Sequence, residues 1–174
     1  MKNIFATAAS VFVLGFAVPA MAQNSNSTIE QIGYHQSATV DQTGAGANNS
    51  STISQGLEAG FSARNEATVT QSGTGSIENY STVKQDGYKN DATITQKGDG
   101  ADLGYNSSVA TQLGDWNDIN VTQNADGTVW NTSTATQTGN HNDIIVNQSG
   151  PSVTWNNSSV TQTGNGNSAT VTQH

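Results

Sequence analysis

Twelve glutamines keep a fixed rhythm along this chain, and that rhythm limits what the chain can fold into. They form six pairs whose members lie 11 positions apart, except for the second pair, where the separation is 16. Over the last three pairs the period is 25 residues. Spacing kept along most of a chain indicates a repeat architecture in which each repeat is one structural unit. The glutamines are Gln31, Gln42, Gln55, Gln71, Gln85, Gln96, Gln112, Gln123, Gln137, Gln148, Gln162 and Gln173.

An alternation with a period of two precedes each of these glutamines. Two residues earlier stands Val, Ile or Ala in all twelve cases, and six residues earlier stands Asn in ten of the twelve. Four residues earlier stands Ser before the first glutamine of a pair and Ala or Ile before the second. This pattern predicts a strand of about seven residues with these side chains on one face. Gly two residues after nine of the glutamines predicts a tight turn with positive φ.

Six such strand–turn–strand repeats predict an all-β solenoid with two parallel sheets, because a single repeat cannot bury its inner face. Stacking in register would place each inner side chain ~4.8 Å from its counterpart. Each glutamine amide then pairs along the stack and avoids the cost of about 1–3 kcal/mol for an unpaired buried group. The predicted structural ladder comprises the twelve glutamines with Ser27, Ser51, Ser81, Ser108, Ser133, Ser158, Asn65, Asn90, Asn117, Asn142 and Asn167.

The repeats occupy approximately residues 25–44, 45–73, 74–98, 99–125, 126–150 and 151–174. The wider spacing in the second pair predicts an additional loop over Leu57–Arg64. No polar cap is visible at either end of the repeat array, so we expect both end rungs to expose unpaired strand edges. Such edges recruit further copies of the same chain.

Residues 1–22 are predicted to be a secretory signal peptide. Lys2 supplies the positive start, an apolar run extends from Ala6 to Val18, and Ala20-Met21-Ala22 forms a small-residue cleavage site. The mature repeat domain would then span residues 23–174 and be secreted. Nothing later in the sequence is apolar enough to predict a membrane span.

Composition excludes several other classes of protein. Beyond residue 22 the chain has one Phe, no Met and no Cys, which is too little for an ordinary globular core and leaves no disulfides. The formal net charge of −8 argues against nucleic acid and anionic membranes as partners. The histidines lack zinc-ligand spacing, and the turn aspartates lack the calcium-loop pattern. We therefore predict no catalytic activity, no cofactor and no metal.

Three aromatic residues stand at one position of the repeat. Tyr105, Trp130 and Trp155 each lie seven residues before the first glutamine of their pair. Odd spacing from an inward glutamine points them outward, so they predict an aromatic stripe along the stack. The stripe would either shield the turn backbone or form a contact surface for a matrix polysaccharide or a neighbouring filament.

The unit N-x-S-x3-Q-x-G-x2-N-x-A-x3-Q, intact from Asn156 to Gln173, resembles the curlin repeat. The resemblance extends over residues 25–173. It implies a structural subunit of an extracellular curli-like amyloid fibre, a fimbrium of the biofilm matrix that serves adhesion. It also implies self-polymerisation, a nucleator subunit and an outer-membrane secretion pore as partners, with greater similarity to the major than to the minor subunit.

A monomeric β-solenoid of the ice-binding or adhesin type is the alternative. It would use outward Thr-x-Thr faces, as in Thr93-Ile94-Thr95. Charged residues such as Glu30, Asp41 and Lys84 interrupt those faces, and outward Thr is also simply a good strand former. Thermal hysteresis without fibre formation would favour this alternative.

Overall fold

The structure, a computed structural model, describes residues 25–44, 47–56, 63–99, 103–127, 129–151 and 154–174. The predicted signal peptide and most of the predicted Leu57–Arg64 loop lie outside these ranges. In the described part of the chain, no helix is long and apolar enough to cross a membrane.

The described residues form twelve β-strands in two six-stranded sheets, and the chain alternates between the sheets. Sheet one contains β1 (Asn26–Gln31), β3 (Asn48–Gln55), β5 (Ile77–Asp86), β7 (Gly104–Leu113), β9 (Val129–Thr138) and β11 (Thr154–Thr163). Sheet two contains β2 (Ser37–Thr43), β4 (Glu66–Gly73), β6 (Asp91–Asp99), β8 (Asp118–Asp126), β10 (Asp143–Pro151) and β12 (Ser168–Gln173).

Each strand pairs in parallel with the equivalent strand of the next repeat. The order is β1-β3-β5-β7-β9-β11 in sheet one and β12-β10-β8-β6-β4-β2 in sheet two. Equivalent residues face each other, as in Gln112↔Gln137 and Val121↔Val146. The predicted all-β solenoid with two parallel sheets is therefore confirmed.

The core between the sheets is narrow and has two kinds of layer. Val, Ile and Ala fill its middle, where Ile53, Val83 and Ile94 are fully buried. Asn and Gln side chains lie on either side of this apolar strip, and most of them are also buried. A chain poor in Leu and Phe can fold this way because the rungs pack side chains of one size on one another, and no large core has to be filled.

The glycines that follow the glutamines have two different roles, and the prediction that all of them supply positive φ was wrong. Gly87 and Gly114 do have φ of 113° and 114°, and a Cβ on Gly87 would lie 2.0 Å from the Gly114 oxygen. Gly98 instead lies inside β6, where a Cβ would lie 2.5 Å from Cγ2 of the buried Ile77. Glycine makes room for that side chain there; Gly73 and Gly150, also within strands, likewise lack positive φ.

Candidate functional site

The inward glutamines form two continuous hydrogen-bonded ladders along the stack. In sheet two, Nε2 of Gln71 donates to Oε1 of Gln96 at 2.8 Å, and Gln96 donates to Gln123 at 2.8 Å. Sheet one repeats this arrangement, for example from Gln85 to Gln112 at 2.8 Å. In every case the donor lies in the earlier repeat. Both ladders therefore run in the same direction.

A second hydrogen bond, to a main-chain carbonyl, fixes the orientation of the amide in ten of these glutamines. The other Nε2 hydrogen of Gln85 donates to the Glu66 carbonyl of the opposite sheet at 2.7 Å, and that of Gln96 donates to the Tyr80 carbonyl at 2.8 Å. If the amide were rotated to exchange its N and O atoms, its oxygen would face the oxygen of that main-chain carbonyl. The direction of the ladder therefore follows from the main chain and is not an arbitrary choice of amide orientation.

Two asparagine ladders run in the opposite direction. Nδ2 of Asn117 donates to Oδ1 of Asn90 at 3.0 Å, and Asn142 donates to Asn117 at 3.0 Å, so here the donor lies in the later repeat. Nδ2 of Asn117 also donates to the turn carbonyl of Gly139 at 2.8 Å. The asparagines of this ladder thus connect the strands to the turns, whereas the glutamines connect the two sheets.

The second asparagine ladder is missing from the residues predicted above. Its members occupy the position six residues before the first glutamine of the second to sixth pairs, so the spacing that revealed the first ladder also reveals this one. Nδ2 of Asn106 donates to Oδ1 of Asn79, and Asn131 donates to Asn106, each at 2.9 Å. The ladder consists of Asn49, Asn79, Asn106, Asn131 and Asn156.

The inward serines are stacked in register but do not form a hydrogen-bonded ladder, contrary to expectation. Within the described residues, the buried hydroxyls of Ser51, Ser108, Ser133 and Ser158 have no hydrogen-bond partner, whereas that of Ser81 accepts from Gln71 Nε2 at 3.4 Å. The rungs are ~4.8 Å apart, but a hydroxyl hydrogen bond spans only about 2.5–3.0 Å. An amide bridges this gap because its donor and acceptor are separate atoms on opposite sides of the group.

The two ends of the stack differ from each other. Among the described strands, β1 and β2 at one end and β11 and β12 at the other each have a single neighbour. The glutamine ladders begin at Gln31 and Gln42 and end at Gln162 and Gln173. The first rung carries outward carboxylates at Glu30 and Asp41, whereas the last rung has threonines at the same positions.

Aromatic rings form a column on the outer face of sheet one. Ring centroids lie 5.6 Å apart between Tyr105 and Trp130, and 5.0 Å apart between Trp130 and Trp155, whose planes differ by 6°. Tyr80 extends the column, with its ring centroid 5.7 Å from that of Tyr105. It is in register with Ser107 and not with Tyr105, so the spacing that predicted the other three rings does not predict this one. The two tryptophan rings are stacked, whereas the tyrosine rings are tilted by 36–42° from their neighbours, and Trp155 at the end of the column is largely exposed.

A second outward feature, the turn ridge, follows the turns that precede sheet two. It consists of Arg64, Tyr88, Lys89, Trp116 and His141. Lys89 Nζ lies 3.7 Å from the Trp116 ring centroid, and the Trp116 and His141 rings stack at 6.0 Å. Arg64, Lys89, Trp116 and His141 have φ of 55–57°, which non-glycine residues adopt at a cost.

Comparison with known proteins identifies the repeat. The sequence model of the curlin associated repeat matches residues 63–98 and residues 154–174. The first match contains β4, β5 and all but the last residue of β6, and the second contains β11 and β12. No curated protein and no solved structure matched the chain.

Proposed function

Because the chain belongs to the curlin family through these repeats, we propose that it is the structural subunit of an extracellular, curli-like amyloid fibre. The fold and the family are structural rather than catalytic. The fibre would grow by adding copies of the chain to its exposed end rungs.

One observation carries the proposal: the ladders are directional and reach the end rungs. If the last rung of one copy stacks on the first rung of another, Gln162 lies over Gln31 and Gln173 over Gln42. Both glutamine ladders then continue across the junction with donors meeting acceptors, in the sense seen inside the subunit. Joining two last rungs would instead bring glutamine donors against donors.

The charge distribution favours the same head-to-tail junction. Stacking in register would place Glu30 beside Thr161 and Asp41 beside Thr172, so neither carboxylate would meet a like charge. Joining two first rungs would bring four carboxylates to one junction. Like charges that face each other across paired strands are destabilising.

The wider setting follows from the family. The fibre would lie on the cell surface as part of a biofilm matrix and serve adhesion, after export guided by residues 1–22. A nucleator subunit, an outer-membrane pore and a matrix polysaccharide would be its partners. These partners are part of the proposal, and the end-rung geometry concerns self-assembly alone.

The test is seeded growth of residues 23–174 at neutral pH. We expect an initially soluble chain to form fibres after a lag, and sonicated fibres of the same chain to remove that lag. A chain that stays monomeric, is indifferent to seeds and produces thermal hysteresis would contradict the proposal. That result would support the ice-binding alternative, for which sheet two offers outward Thr68, Thr70, Thr93 and Thr95 in adjacent rungs.

A further inference from the structure

Four acidic residues occupy one column on the outer edge of sheet two. Glu66, Asp91, Asp118 and Asp143 are in register across β4, β6, β8 and β10. Adjacent members are therefore separated by one strand spacing, ~4.8 Å. The same column carries the uncharged Ser37 and Ser168 in the two end rungs. We call these four residues the acidic column.

The basic side chains that lie nearest to the acidic column in the sequence contact aromatic residues and not the column. Arg64 and Lys89 of the turn ridge lie two residues before Glu66 and Asp91. Arg64 Nη1 donates to the Tyr88 hydroxyl at 3.3 Å, and Lys89 Nζ lies over the Trp116 ring.

The remaining titratable groups beside the column are His35, His141 and the Asp115 carboxylate, whose Oδ1 accepts from the Tyr88 backbone N–H at 2.9 Å. Within the described residues, no ion pair joins the column to a basic side chain. The negative charge of the column is therefore not compensated locally.

The repulsion within the column arises from folding itself. In the sequence, consecutive members are 25 to 27 residues apart, so they come together only when the rungs stack. Desolvation by the flanking strands, followed by the Asp118 and Glu66 carboxylates, raises the pKa of Asp91. Desolvation, followed by the Asp143 carboxylate, raises the pKa of Asp118.

A raised folded-state pKa means that the folded stack binds protons more tightly than the unfolded chain does. The stability contributed by this proton binding is fully present below the ordinary aspartate range, near pH ~3.9. It is lost as the pH rises through the folded-state pKa values. Folding at neutral pH therefore has to overcome the repulsion between the carboxylates, and protonation at lower pH relieves it.

We propose that the acidic column is an acid-released brake on stacking, which slows assembly at neutral pH and slows it less as the pH falls. The inference rests on the proposed function, because assembly is the process that it regulates. It differs from an effect of net charge alone because it assigns the effect to carboxylates that face one another.

The test compares two double variants that each remove two carboxylates. Asp91→Ser with Asp118→Ser replaces two column carboxylates with the serine that the end rungs have at this position. Glu78→Ser with Asp86→Ser instead removes two internal carboxylates that are in register with Tyr105 and Leu113. Assembly half-times are measured from pH 4 to pH 8 by sedimentation. At pH 7.5 we expect the column variant to assemble about tenfold faster than the wild-type chain, because it removes repulsion between carboxylates that face each other across paired strands. The control variant should change less than about twofold.

Two outcomes would contradict different parts of the proposal. Equal acceleration in both double variants would overturn the column and leave only net charge. Absence of fibres from every chain at every pH would instead refute the proposed assembly. If the column variant does not fold, carboxyl ¹³C NMR of wild-type fibres decides, because Asp91 and Asp118 carboxylates that titrate at or below the ordinary aspartate pKa of ~3.9 would overturn the inference.

Discussion

At the scale of single residues, the separation of donor and acceptor within a side chain decides which columns become ladders. Glutamine and asparagine amides span the distance between rungs, and serine hydroxyls do not. The sequence spacing predicted that all three would be stacked, because all three share the parity of the repeat. It could not predict the difference in hydrogen bonding, which depends on the reach of each group and not on its position.

Replacing an inward glutamine should harm assembly more than replacing its outward neighbour. In Gln162→Ala, Nε2 of Gln137 loses the acceptor that it contacts at 3.2 Å, and the end rung loses its own donor. We expect a cost of about 1–3 kcal/mol for the unpaired amide and a correspondingly longer lag. Thr161→Ala is the matched control on the outer face. Light scattering measures the lag times. Equal lag times for the two variants would contradict the assigned faces.

The turn glycines should tolerate alanine to very different degrees. A Cβ on Gly139, at φ 116°, would lie 2.1 Å from the Gly164 oxygen, so Gly139→Ala forces backbone apart. Gly166, at φ 70°, has open space around it and occupies the turn position held by His141 in the preceding repeat.

We expect Gly139→Ala to cost more than about 3 kcal/mol and Gly166→Ala about 1 kcal/mol. Both costs are measured from the midpoint concentration at which guanidinium dissociates the fibres. Similar midpoints for the two variants would show that the close turn stacking is absent.

At the scale of elements, the strands extend beyond the alternation that predicted them. Strands of about seven residues were expected, but β6 and β10 are nine residues long and continue past their glutamines. The reason is that Gly98 and Gly150 accept extended backbone at a crowded corner instead of turning the chain. Sequence shows that a glycine is present, but only the neighbouring strand shows whether it supplies a turn or space.

The aromatic column should act between filaments and not within one. Trp130 and Trp155 are 42% and 76% exposed, and their stacking contributes about 0.5–1.5 kcal/mol per pair, which is small beside the ladders. We expect Trp130→Ala with Trp155→Ala to leave fibre formation largely intact and to weaken lateral bundling, as seen by electron microscopy. Thr136→Ala with Thr161→Ala, outward on the same strands, is the control. Unchanged bundling would leave the rings only a shielding role for the turn backbone.

At the scale of the whole molecule, fold class was the easiest property to predict. A period that recurs in six repeats allows few arrangements, because each rung needs an equivalent rung to cover it. The direction of the ladders could not be predicted in this way, since it depends on how each amide meets the opposite sheet, as Gln85 does at the Glu66 carbonyl. Direction nevertheless matters most for growth, because it makes the two ends of the stack different.

Fibre X-ray diffraction from aligned fibres of residues 23–174 tests the central claim most directly. If subunits stack rung on rung, the spacing between strands continues along the fibre, and a sharp reflection at ~4.8 Å must lie on the meridian. A weaker equatorial reflection near ~10 Å should accompany it from the separation of the two sheets. Fibres with no meridional reflection near ~4.8 Å, or with that reflection on the equator, would contradict the account.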